Sequence, residues 1–207
     1  MRLFDDVEVM LAEPREEPFR KAGWVFEPKL DGYRIVATLD AGLGVLISRN
    51  GNDLTTGFPE VARAVRALPV PRLVLDGELV ILDEDGREVF DALQNRLHPA
   101  ESRVRMLAEE TPALFRAFDL LAVDRRKLLK DPFSERREAL EELITAAPGR
   151  VKKRSGSVEL TPLIRSAKKA EPLLLSGEGV IAKQLEAPYR PGERTGLVKV
   201  TRVRTID

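Results

Sequence analysis

Apolar residues in this chain mostly form short runs or alternate with polar ones, and they recur at helical spacing in a few stretches. "WVFEP" and "YRIVATLD" flank "KLDG", and Asp31-Gly32 is a dipeptide favoured in tight turns. A strand, a turn and a strand are therefore expected around Lys29. "GVLISRNG" repeats the pattern and ends at Asn50-Gly51. "PEVARAVRAL" places Val61, Ala64, Val65 and Leu68 on one helical face, with Pro59 in the first turn. "RLVLDGELVILDEDG" reads as a strand and a further strand closed by a second Asp-Gly turn. A short helix follows over "FDALQNRL", then a strand through "ALFRAFDLLAVD". "SERREALEELITAA" predicts a helix capped by Ser134, with Leu140, Leu143, Ile144 and Ala147 as its buried stripe. "VELTPLI", "GVIAKQL" and "LVKVTRVRTI" make the last third rich in strands. Strands come in adjacent runs with helices between the groups, so the predicted class is α+β, with antiparallel or mixed sheets packed against helices.

Composition narrows the chemistry. The 207 residues carry 34 Lys plus Arg and 34 Asp plus Glu, so a polyanionic partner must meet a local patch and not a global field. With no cysteine and one histidine, disulfides, thiolate nucleophiles, cysteine-held zinc and multi-histidine metal cages are excluded. The opening "MRLFDDVEVMLAEPREE" mixes charges into its apolar residues, unlike a signal peptide, and no stretch reaches membrane-spanning length; a cytoplasmic protein without membrane contact is expected. No heptad repeat or exposed apolar stripe stands out, so a monomer is expected. "APGRVKKRSGS" reads as an exposed basic loop.

The familiar phosphate cradles are missing. No G-x-x-x-x-G-K-[ST] occurs, "GEGVIAK" has the wrong glycine spacing for that loop or a dinucleotide fingerprint, and there is no G-x-S-x-G elbow. What remains is a set of charged residues beside glycines or between apolar strand positions: Glu27, Lys29, Arg34, Arg49, Glu78, Glu178, Lys183 and Lys199. Taken singly, such charges ordinarily sit on the wet face of an antiparallel sheet.

Taken in order, their contexts carry a resemblance. "EPKLDGYR" at 27–34 resembles the K-x-D-G-x-R motif of the covalent nucleotidyltransferases: ATP-dependent DNA ligases, RNA ligases and messenger-RNA capping enzymes. "SRNG" at 48–51, "LDGE" at 75–78, "FDLL" at 118–121, "GEGVIAK" at 177–183 and "LVKV" at 197–200 resemble that family's later elements. The E-P-K-L-D-G wording, "FDALQNRLHP" and "AFDLLAVD" are most similar to small bacterial ATP-dependent DNA ligases associated with break repair. The resemblance implies a two-lobed nucleotidyltransferase (ATP-grasp-like) domain over residues 1–207.

It also implies roles. Lys29 would attack the α-phosphorus of ATP and keep AMP as a phosphoramidate. A lysine with a pKa of about 10.4 is neutral in only about one molecule in a few thousand at pH 7, so nearby cations are needed to favour the free amine. Arg34, Lys183, Lys199 and a divalent metal would supply that field and stabilise the transferring phosphoryl group. Glu27 would accept from the adenine amino group, and Phe118 would stack on the base, although an aromatic in "LFRAFDLL" also suits a core. Glu78 would hold the ribose, Arg34 and Arg49 would contact sugar and phosphate, and Lys183 and Lys199 would lie near the α-phosphate. Glu178, with Glu78, would bind Mg²⁺. Arg190 and Arg194, in "PYRPGERTG", would be additional phosphate contacts, with weaker support than the others. Asp31 is as suited to shaping the turn as to touching the nucleotide. The basic groups at 125–130 and 150–154 would meet nicked double-stranded DNA or stay merely solvated.

Two departures qualify the resemblance. The family's last element has a second lysine where this chain has Thr201, a loss that Arg202 or Lys183 would have to offset. The family's oligonucleotide-binding barrel has no counterpart in the sequence, so a separate or deleted barrel is expected. Two readings stay open: a ligase adenylation domain acting on DNA in repair, or a module that binds ATP or nicked DNA without turnover. RNA ligation is a further variant of the first.

Overall fold

The computed structural model describes residues 8–15, 21–97, 100–147 and 156–201. Within them, two β-sheets face each other and each is covered by helices on its far side. The first sheet holds β1 (Glu13–Arg15), β10 (Leu197–Thr201), β9 (Gly179–Gln184) and β2 (Trp24–Pro28), in that order. The second runs β4 (Leu43–Ser48), β3 (Tyr33–Asp40), β5 (Arg72–Val80), β6 (Leu114–Val123) and β7 (Arg126–Lys127), with β8 (Ser157–Leu160) also on β6. The β1–β10 and β6–β8 pairs are parallel and the others antiparallel, in agreement with the α+β expectation.

The helices are α1 (Pro59–Arg66), α2 (Phe90–Gln94), α3 (Glu101–Glu110), α4 (Phe133–Thr145) and α5 (Ala167–Ser176). On the second sheet, Ile35, Ala37 and Leu39 of β3 and Leu73, Leu75 and Leu79 of β5 share one core with Val61 and Val65 of α1 and Leu140 and Leu143 of α4. Each such Val, Leu or Ile side chain contributes roughly 1.5–3 kcal/mol when fully buried. The alternate positions, Val36 and Val74, turn the other way and join Leu121, Tyr189 and Leu197 between the sheets. A third cluster joins Phe26, Val180, Ala182 and Val198 to Ala170 of α5.

This alternation positions the site. A one-residue slip of β5 would drive Asp76 and Glu78 into the core shared with α1 and α4, so the apolar pattern fixes which carboxylates face the other sheet.

Several expectations need correction. Ser134 does not cap α4: the helix begins at Phe133 with Pro132 at the cap position, and no side chain caps it. Ala62, not Ala64, is the buried alanine of α1, because Glu60 and Ala62 also turn inward. The expected second strand after β5 is one bridge, Leu82 to Glu88. Helices α3 and α5 were not expected. The run after Thr201, including Arg202, and the basic group at 150–154 lie outside the described residues.

Candidate functional site

β2 and β3 flank Lys29, yet they pair with different sheets: β2 with β9, and β3 with β4 and β5. The Lys29–Gly32 segment is thus not a hairpin turn but a crossing between sheets, which carries Lys29 to the space between them. The segment is pinned at three points. Lys29 N–H donates to the Gly179 carbonyl at 3.0 Å. Asp31 N–H donates to Glu88 Oε2 at 2.7 Å, and Gly32 N–H to Glu78 Oε1 at 3.0 Å. Gly32 is required for close approach, since a Cβ there would lie 2.0 Å from the Leu79 carbonyl oxygen. Gly179 combines a φ of +120° with the same crowding: its Cβ would meet the Val200 oxygen at 2.2 Å.

Between the sheets lies a cleft of about 670 Å³. Glu27, Lys29, Arg34, Arg49, Glu78, Phe118, Lys183, Arg194 and Lys199 all line it. Residues as far apart in the chain as Glu27 and Lys199 therefore share one wall system.

The surroundings of Lys29 are acidic, although Glu178 and Glu88 lie outside the cleft lining. Lys29 Nζ lies 3.8 Å from Glu178 Oε2. Burial pushes the Glu78 carboxyl up to about 7; the Gly32 N–H, Arg34 and Lys29 oppose the shift, and the neighbouring Glu88 carboxylate adds to it. Burial also raises Glu88. Glu88 was missed from the sequence. The signal available was the Asp85-Gly86 turn, which folds residues 82–88 back so that Glu88 reaches the Lys29 segment.

At the closed end, Glu27 is almost fully buried and held at both oxygens. Arg137 Nη1 donates to Oε1 at 3.1 Å, and Lys183 Nζ meets Oε2 at 2.8 Å. Lys183 also donates to the Phe118 carbonyl at 3.1 Å and lies 4.4 Å from the Phe118 ring centroid. Phe118 is half-buried, belongs to no core cluster and faces the cleft. Its placement follows from a bulge: Asp76 pairs with Asp119 and Gly77 with Ala117, so Phe118 is the extra residue.

Arg34 is committed to a partner the sequence did not reveal. It donates to both oxygens of buried Asp76, at 2.8 and 2.6 Å, and to the Met10 carbonyl at 3.1 Å. Burial pulls its pKa down, but the Asp76 carboxylate more than reverses this, so the guanidinium stays charged. Tyr189 Oη donates to the same carboxylate at 2.7 Å and accepts from Met10 N–H at 2.9 Å. The expected cation field around Lys29 is thereby altered, because Lys183 is neutralised by Glu27 and Arg34 by Asp76. Lys199 lines the cleft with no ion pair among the described residues. Arg194 Nη1 donates to the Ala12 carbonyl at 2.9 Å, and Arg49 is exposed at the rim. Arg190 pairs with Glu193 at 3.6 Å and is outside the cleft lining, as is Thr201.

The donor set suits a nucleotide, with an aromatic ring, a buried acceptor beside it and lysines on the facing sheet. For a divalent cation, the described residues hold no ready group of three or more ligating side chains. Carboxylates on the Lys29 side nevertheless fit Mg²⁺, which is commonly held by one or two carboxylates together with substrate phosphates. Among the described residues, no helix is long and apolar enough to cross a membrane.

Comparison with known proteins gives concordant results. A family model described as the ATP dependent DNA ligase domain matches residues 9–201. DNA ligase C1 of Mycolicibacterium smegmatis is 44% identical over 97% of this chain and 58% of its own length. DNA ligase C of Mycobacterium tuberculosis is 42% identical over 88% of the chain and 51% of its own length. The chain thus spans a little over half of these relatives. A structure of mycobacterial DNA ligase D complexed with ATP and MES superposes with a TM-score of 0.76 at 33% identity, covering 96% of this chain and 61% of that one. A Chlorella virus DNA ligase-adenylate shares the fold, with a TM-score of 0.64 at 17% identity over 94% of this chain and 67% of that one.

Proposed function

Because this chain belongs to the ATP-dependent DNA ligase domain family, we propose that residues 9–201 form a ligase adenylation unit with Lys29 as its nucleophile. The observation that carries this reading is the convergence of Lys29, Glu27, Glu78, Phe118, Lys183 and Lys199 on one cleft. ATP enters with its base against Phe118 and its 6-amino group toward Glu27, which lies beside that ring. Glu78 holds the ribose end, and Lys199 meets phosphate with a charge that no carboxylate among the described residues offsets.

The free amine of Lys29 donates its electron pair to the α-phosphorus. An N–P bond forms, the P–O bond to pyrophosphate breaks, and that bond's electron pair leaves with pyrophosphate. The amine proton departs toward the acidic side, where Glu178 Oε2 lies 3.8 Å away. The Gly179, Glu88 and Glu78 contacts hold the Lys29 backbone, so little orientational entropy remains to be lost in reaching the attack geometry. Mg²⁺ held by Glu178 and Glu78 would shield charge on the phosphates. Arg34 acts chiefly as a strut between Asp76 and Met10, and Arg49 and Arg194 are placed to meet phosphate at the rim.

Transfer of AMP to the 5′-phosphate of a DNA nick, and sealing, then require an oligonucleotide-binding barrel of the kind the resemblance implies. Incubation with ATP and Mg²⁺ is expected to add the mass of one AMP to the protein, and Lys29→Ala to abolish the gain. Reversible ATP binding without the adduct would favour a binding module instead.

A further inference from the structure

We propose that Arg137, on α4 and outside the cleft, is a specificity-determining positioning residue: it holds Glu27 as an acceptor-only anion and so selects a 6-amino purine over a 6-oxo purine. The inference rests on reading the cleft as an ATP site.

Glu27 is 2% exposed and lines the closed end of the cleft, next to the Lys183 ammonium that lies over the Phe118 ring. A planar base stacked on Phe118 therefore presents an edge to this carboxylate. An ionised carboxylate offers about four lone-pair sites and no donor. Arg137 and Lys183 occupy one on each oxygen, leaving one per oxygen for a ligand. Such a group can accept from the 6-amino of adenine but cannot donate to a 6-oxo group.

Arg137 is itself fixed in direction. Its Nη2 donates to the Thr161 carbonyl at 2.9 Å and its Nε to Glu141 Oε1 at 2.7 Å, so Nη1 has one aim. The other charged groups acting on Glu27 are Lys183 on β9 and Asp119 on β6, the latter paired bidentately with Arg136. Burial pushes the Glu27 carboxyl up, and Lys183 and then Arg137 oppose it. Without Arg137, burial meets one cation fewer. The carboxyl then binds a proton more readily, and in its protonated form it can donate to the 6-oxo purine it formerly excluded.

The test compares equilibrium binding, in Mg²⁺-free buffer so that no adduct forms, of ATP and inosine triphosphate, whose bases differ in the 6-amino against the 6-oxo group and in the hydrogen that the latter carries at N1, by the intact chain and by Arg137→Met, Arg137→Gln and Arg137→Lys. Arg137→Gln is included because it keeps a donor toward Glu27 while dropping the charge, should the methionine variant fold poorly. Wild type is expected to prefer ATP, the two neutral variants to lose about tenfold or more of that preference, and Arg137→Lys to retain most of it. A packing role alone would weaken both nucleotides in proportion. An unchanged ATP preference in whichever neutral variant folds overturns the inference. A wild type that prefers ATP yet forms no lysyl adduct overturns the adenylation reading and leaves this one standing; a wild type that binds neither nucleotide overturns both.

Discussion

Glu78 is held in a state that an exposed glutamate would not adopt. Its carboxyl, ordinarily near 4.5, is pushed up to about 7, burial being the largest cause. A raised carboxyl means that the folded chain binds this proton more tightly than the unfolded chain. The associated stability is fully present below the unfolded value and is lost as pH rises through about 7. Glu78→Gln keeps the acceptor for Gly32 N–H and removes the titration. In metal-free buffer the variant should match wild type at about pH 4 and exceed it by up to about 3 kcal/mol at about pH 8.5, read from urea midpoints. Parallel pH profiles would show that Glu78 is solvated like any surface acid. Legibility differs sharply among such residues. Lys29, Glu78 and Lys183 stand in glycine-bearing contexts whose order along the chain points to one site. Glu88, Arg137 and Tyr189 sit in runs indistinguishable from an ordinary turn, helix or loop, and Asp76, though inside "LDGE", shows nothing there of its pairing with Arg34 and Tyr189.

Among the elements, β2 to β6, β8 to β10, α1, α2 and α4 lie where the apolar pattern puts them, whereas β1 and β7 bury no residue and leave no apolar signal. α3 and α5 escape such a reading for different reasons. α3 buries only Val104 and Ala108 and leaves Met106 exposed, so its stripe is too narrow to stand out from its charges. α5 carries Pro172 in its interior, which ordinarily argues against a helix. The bulges in β6 are invisible in sequence as well, because an extra residue is defined only against its partner strand. α1 holds a further hidden feature. Its buried Glu60 accepts from Arg96 Nη2 at 2.8 and 2.9 Å and from Ala113 N–H at 3.0 Å, tying α1 to the segments after α2 and before β6. Arg96→Met strands a buried carboxylate and is expected to cost about 3–5 kcal/mol in urea unfolding. Adding Glu60→Gln, which still accepts from Ala113 N–H, should recover part of that loss. Additive effects of the two changes would mean that the ion pair carries no coupling.

Across the whole molecule, the decisive feature is that a single space is walled by both sheets. Glu27, Lys183 and Lys199 come from the first sheet, Arg34, Glu78 and Phe118 from the second, and Lys29 from the segment that crosses between them. The apolar cluster of Val36, Val74, Leu121 and Leu197 joins the same two sheets, so separating them would expose core and dismantle the cleft together. A nucleotide bound there must favour the intact arrangement over any state in which either sheet has come apart. The Lys29→Ala variant isolates this effect, because it can bind ATP but cannot retain AMP covalently. At a free ATP concentration of about one hundred times its dissociation constant, with Mg²⁺, unfolding should require about 2.7 kcal/mol more than without nucleotide, in one transition seen alike by Trp24 fluorescence and by backbone circular dichroism. Two separated transitions, only one of them sensitive to ATP, would mean that one sheet binds the nucleotide alone and that the shared cleft is not the site.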